Sequence, residues 1–123
     1  MGEYRVAKID EIEAIAFGTF RRARATLGIS SFGLQILDLP PNANAYPEHD
    51  HAADGQEEVY IVVGGGGTMR VDDTSVALQV GRFVHVDPGT PLQSANHGDE
   101  DLLVYAYGYP PESENAELLD PAV

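Results

Sequence analysis

Two histidines two residues apart, His49 and His51, are the residues of this sequence whose types and spacing most directly suggest chemistry. On an extended segment, residues at i and i+2 point to the same side, so both imidazoles can face one point in space. A turn of small and polar residues follows (Ala52, Ala53, Asp54, Gly55), and the chain then returns through Glu57 and Glu58. Two imidazoles and one carboxylate form a ligand set with open positions. Such a set suits a divalent transition metal: manganese, iron, nickel, zinc or copper. Glu57 and Glu58 are adjacent and point to opposite faces of a strand. If Glu58 faces inward, Tyr60 and Val62 follow it, while Val59, Ile61 and Val63 share one packing face. That arrangement is preferred because it keeps the β-branched residues together and brings the Tyr60 hydroxyl to the site; the reverse parity would make Glu57 the ligand.

These residues need strands to hold them, and the rest of the chain supplies strand signals. Glycine and proline recur about every ten residues from Gly28 to Pro111. Between them lie short segments rich in β-branched, leucine and aromatic residues, at 32–39, 57–63, 68–72, 83–86 and 102–107, with a further run at 75–80. Short strands with regular turn signals predict an all-β sandwich or barrel. The run from Gly64 to Gly67 reads as a hairpin tip, and Asp72-Asp73 and Asn96-His97-Gly98-Asp99 as polar turns. A short helix or turn is expected near 8–15, where Asp10, Glu11 and Glu13 enrich the first turn in acid. The expected organisation is an N-terminal segment at 1–20, a barrel at 21–109 and an acidic tail at 110–123.

The stretch around the histidines resembles the first motif of the cupin superfamily: His-x-His, a glutamate, a strand and a glycine, here His49, His51, Glu58 and Gly65. A second motif of that family, glycine, strand, Pro-x-Gly, histidine and asparagine, is matched by Gly81, the strand at 83–86, Asp87-Pro88-Gly89, Leu92 and Asn96. The resemblance runs from about Gly33 to Gly108. It implies a double-stranded β-helix, the jelly-roll barrel of that family, and carries over His49, His51 and Glu58 as metal ligands. Leu92 stands where the family's third histidine ligand is found, which makes that corner of the pocket apolar. Tyr60, His85 and Leu92 are the candidate ligand-contacting residues. For His85 the alternative is a core or outer-face histidine. Tyr46 is a further candidate pocket tyrosine.

Other features are assigned structural roles. Glu48, Asp50 and Asp54 are expected as solvated loop charges that attract cations, the alternative being that they support the metal ligands from behind or set the local field. Arg21, Arg22 and Arg24 are expected on a strand face, pairing with acidic neighbours. Tyr105, Tyr107 and Tyr109 alternate and so share a face, suited to packing or to a contact with a second copy. The tetraglycine lacks the Gly-Lys-Ser/Thr of a phosphate loop.

Composition narrows the function. The chain has 123 residues, with 20 acidic residues against 7 basic ones and a net charge of −13. That balance argues against nucleic-acid and membrane-surface partners, both of which require positive charge facing phosphate. The absence of cysteine rules out thiolate nucleophiles and cysteine-ligated metal sites. No apolar run is long enough for a membrane helix, and the N-terminus leads into acidic sequence, so a cytoplasmic location is expected. The expectation is therefore a small metal-binding cupin, dimeric as the family often is, with a small-molecule ligand. It is either a metal-dependent enzyme of oxygenase or isomerase type acting on a neutral or weakly charged molecule, or a non-enzymatic binding or structural protein with a degenerate metal site.

Overall fold

The computed structural model describes residues 2–15, 18–43 and 47–111. Tyr46 and most of the expected acidic tail lie outside these residues. A 3-10 turn at Ile9–Glu11 leads into β1 (Ala14–Ile15), β2 (Phe20–Arg21) and a short helix α1 (Ala23–Leu27). Then follow β3 (Gly33–Leu39), β4 (Glu57–Gly64), β5 (Gly66–Val71), β6 (Thr74–Gln79), β7 (Phe83–Val86), β8 (Leu92–Ala95) and β9 (Leu102–Tyr109). The strands form two antiparallel sheets, β1-β2-β3-β9-β4-β7 and β6-β5-β8. This is the all-β class that the strand pattern predicts, in the form of the double-stranded β-helix that the resemblance implies.

The core follows from strand alternation. On β4, Glu58, Tyr60 and Val62 turn inward, and on β9 Leu102, Val104 and Ala106 do the same. They meet Leu37 and Leu39 of β3 and, from the second sheet, Met69, Leu78 and Leu92. Each such aliphatic side chain, once fully buried, contributes roughly 1.5–3 kcal/mol. A second, smaller cluster lies on the outer side of the large sheet. There Ile12, Ala23 and Ile36 pack with Leu34, Leu103 and Tyr105, so the N-terminal segment and α1 cover one part of that face.

Three local features differ from the sequence-based expectation. Helix α1 is a single short turn closed by Gly28 in the left-handed conformation (φ 70°). Its length is below what propensity alone can sustain, and the burial of Ala23 against the sheet holds it. Strand β8 was not among the expected strands because Leu92-Gln93-Ser94-Ala95 has no β-branched residue; pairing with β5 decides it. The glycine run is not a hairpin tip. β4 and β5 lie in different sheets, so the chain crosses from one sheet to the other at Gly65. The hairpin forms one strand later, between β5 and β6, across Asp72-Asp73. Glycine is required at the crossover because the backbones touch: a Cβ on Gly65 (φ 69°) would lie 2.0 Å from the Asp101 carbonyl oxygen, and one on Gly67 would lie 2.5 Å from that of Ala95.

Two of the three arginines pair with acids, Arg21 with Asp38 at 3.3 Å and Arg22 with Glu13. The expected strand face holds only for Arg21, because Arg22 precedes α1 and Arg24 lies on it, donating to the Ile29 carbonyl at 3.4 Å. Tyr107 and Tyr109 lie exposed on the outer face of the large sheet, with Phe32 stacked on Tyr107. Among the described residues, no helix is long and apolar enough to cross a membrane.

Candidate metal centre

The segment bearing the histidines runs along the open edge of the three-stranded sheet. His49 and Leu92 exchange both backbone hydrogen bonds, His49 N–H to the Leu92 carbonyl at 3.0 Å and Leu92 N–H to that of His49 at 2.9 Å. The chain then turns at 51–55, closed by a bond of 2.8 Å from the Gly55 N–H to the His51 carbonyl, and returns as β4. The turn therefore carries two histidines from the smaller sheet's edge to a glutamate on the larger sheet.

His49, His51 and Glu58 each offer a donor atom, and these atoms lie within 4.8 Å of one another. The two imidazoles meet edge to face with centroids 5.4 Å apart. His51 Nε2 is 3.0 Å from Glu58 Oε1. The Tyr60 hydroxyl donates to that same oxygen at 2.7 Å and lies 3.4 Å from His49 Nε2. Glu58 is buried, Glu57 exposed. The register of β4 on β9 and β7 explains this, because adjacent residues must face opposite sides of the sheet.

The three groups differ in electrostatics. Burial pushes the His49 imidazole below its usual pKa, which favours the neutral form that a metal needs. Burial also opposes charge on His51, but its hydrogen bond to Glu58, the Glu58 charge and Asp54 behind it outweigh that cost and hold it at about 9. The charged His51 ring thus sits between two carboxylates, Asp54 at Nδ1 and Glu58 at Nε2. On the Nε2 side two imidazole nitrogens and a carboxylate oxygen converge, a donor set that could hold a divalent cation.

The other candidates are distributed as follows. Tyr60 is fully buried with its hydroxyl in the cluster. Leu92 is fully buried beside His49, its side chain in the core. His85 does not join them. It pairs in register with Val59 rather than with an inward residue, so it emerges on the outer face. There it contacts Glu57 at 2.5 Å and Asp87 at 3.6 Å, and the bond to Glu57 raises its pKa. Of the loop acids, Glu48 pairs with Arg70 and Asp50 accepts the Ala52 N–H. Asp54 is no solvated loop charge, because both of its oxygens face His51 Nδ1. Sequence reasoning also left the role of Asn96 open. It is fully buried, and its amide donates to the carbonyls of Leu39, Pro40 and Glu100 at 2.9, 3.1 and 2.7 Å. Its side chain thus ties the start of the loop after β3 to the β8–β9 turn. Ser94, inward on β8, has a buried hydroxyl with no hydrogen-bond partner among the described protein groups.

A two-sheet β-barrel with paired histidines and a glutamate between its sheets defines a class of protein. Residues 35–107, more than half of the chain, match the family model for the Cupin domain, and the chain belongs to that family. An uncharacterized protein of Methanocaldococcus jannaschii is 32% identical over 65 residues, which make up 52% of this chain and 52% of that protein. The match therefore spans only about half of that relative's length. Among solved structures, a cupin protein from Bacteroides fragilis superposes with a TM-score of 0.71 at 19% identity, over 88% of this chain and 85% of that one. A predicted oxalate decarboxylase from Thermotoga maritima superposes with a TM-score of 0.66 at 21% identity, over 85% of this chain and 97% of that one. At such identities the likeness is one of fold, and function has to be argued from the site.

Proposed function

We propose that this protein binds one divalent transition metal through His49, His51 and Glu58 and uses the open positions to hold a small oxygen-donor molecule inside the barrel. The convergence of three donor atoms within 4.8 Å carries this reading. Bound there, the metal would supply Lewis-acid polarisation of an oxygen on the ligand. The chain's own residues would do the rest. Tyr60 would hold the Glu58 carboxylate through its hydroxyl, and Leu92 would present an apolar wall beside His49. The chain's strong negative charge disfavours a strongly anionic ligand, so a neutral or weakly charged molecule fits best.

Metal analysis of protein purified without an affinity tag tests the reading. We expect close to one equivalent of transition metal in the wild type after loading with zinc, and less than a tenth of that in His49→Ala and His51→Ala. Equal metal content in all three proteins would overturn the assignment.

Leu92→His supplies a second expectation. Residues that exchange both backbone hydrogen bonds in an antiparallel pair carry their side chains on the same face, so a histidine at position 92 would stand beside His49. Zinc affinity should rise by about tenfold, or about 1.4 kcal/mol. The metal-free protein should lose about 2 kcal/mol of stability, because an imidazole replaces a fully buried leucine. Competition with a chromogenic chelator measures the first effect and urea unfolding the second.

A further inference from the structure

We infer that Asp54 is a positioning residue of the metal site, holding the His51 ring by Nδ1 so that Nε2, beside Glu58, is the nitrogen that coordinates. The inference rests on the reading of His49, His51 and Glu58 as ligands.

An imidazole can bind a metal through only one of its nitrogens at this site, and the other must carry the proton. His51 Nδ1 lies 3.1 Å from Asp54 Oδ1 and 3.3 Å from Oδ2. With Nδ1 engaged there, Nε2, which in the absence of metal donates to Glu58 Oε1 at 3.0 Å, is the nitrogen that would give up its proton to coordinate. The carboxylate is itself held. Asp54 Oδ1 accepts the Gln56 N–H at 3.1 Å, and the turn beneath it is closed by the bond from the Gly55 N–H to the His51 carbonyl. Both side chains are largely buried, with 14% of His51 and 16% of Asp54 exposed. The interaction is therefore poorly screened and geometrically fixed, unlike a surface ion pair. A carboxylate behind a metal-binding imidazole sets its tautomer and orientation and raises its basicity.

The neighbouring acids do not share this role. Glu48 is turned to Arg70, and Asp50 is spent on the Ala52 N–H. His49 is placed differently, with burial opposing its charged form and the Pro47 backbone beside it favouring that form. Among the described residues, only the His51 ring of the two is oriented by a side-chain carboxylate outside the ligand set.

Asp54→Asn separates positioning from folding. The asparagine keeps an oxygen for the Gln56 N–H, so the turn persists, while the charge behind His51 is lost. Zinc binding to metal-free protein, measured by chelator competition, should weaken about 10- to 100-fold in Asp54→Asn. It should change less than about twofold in Asp50→Asn, which removes an equal charge from the same loop. The thermal midpoint of metal-free Asp54→Asn should fall by no more than about 5 °C, a change worth about 1 kcal/mol from the lost charge beside His51, and the variant should remain fully folded at the temperature of the titration. Cobalt(II)-loaded Asp54→Asn should show a shifted visible spectrum relative to wild type. Wild-type zinc affinity in Asp54→Asn would overturn the inference, as would an equal loss in Asp50→Asn or a thermal midpoint lowered enough to explain the weaker binding. Failure of the underlying reading looks different: wild type and His49→Ala would then bind zinc alike.

Discussion

Glu58→Gln should weaken zinc binding by about 100-fold or more, at least about 2.8 kcal/mol, while Glu57→Gln leaves it within about twofold. The two residues are adjacent, carry the same charge and differ only in the face they occupy. Glu58 lies inward against His51 Nε2 and the Tyr60 hydroxyl. Glu57 lies outward against His85. Glutamine is nearly isosteric with glutamate and still accepts from the Tyr60 hydroxyl, so the barrel should remain folded and the change should be confined to the metal. Chelator competition gives the affinity, and circular dichroism confirms the fold. If Glu57→Gln were the variant that lost metal, the site would lie on the outer face with His85 and Asp87, and the assignment of the barrel interior would fall.

Gly65→Ala should cost the fold about 3 kcal/mol or more and lower the thermal midpoint by about 10 °C or more. Two penalties combine. The residue sits at φ 69°, where an added Cβ costs about 1–2 kcal/mol. That Cβ would also lie 2.0 Å from the Asp101 carbonyl oxygen and 3.1 Å from the Leu102 Cα, both backbone atoms. Leu102 is fully buried at the start of β9, so the strand cannot move away without opening the core. Gly81→Ala is the matched control. Its φ is 90° but nothing stands within 4 Å of the added atom, so it should lose only the conformational part. The difference between the two midpoints measures how closely the two sheets are joined at the crossover. Similar midpoints for the two variants would mean that the crossover can relax.

Sequence alone reached the fold class because its evidence is local. Alternation along 57–63 and 102–107, punctuated by glycine and proline, is a property of each strand by itself. The same holds for His49 and His51, whose shared face needs only an extended segment. The preference for Glu58 also rested on a local argument, the grouping of Val59, Ile61 and Val63, and in the structure these three lie on the face opposite Glu58, Tyr60 and Val62.

What the sequence left open depends on partners distant in the chain. The side of the sheet on which His85 emerges is set by its register with Val59. Whether Gly64 to Gly67 make a hairpin or a crossing is set by which sheet each flanking strand joins. Leu92-Gln93-Ser94-Ala95 becomes a strand only because β5 lies beside it. Asp54 looked like one loop acid among five within eleven residues, and only the closed turn at 51–55 directs its carboxylate onto His51. Periodicity is written in a strand's own side chains, so sequence by itself determined the all-β class and the pair of histidines, and the motif resemblance chose the barrel over a sandwich. Register, sheet membership and the aim of a turn arise from backbone bonds between remote segments, so only the tertiary structure decided which carboxylates meet those histidines.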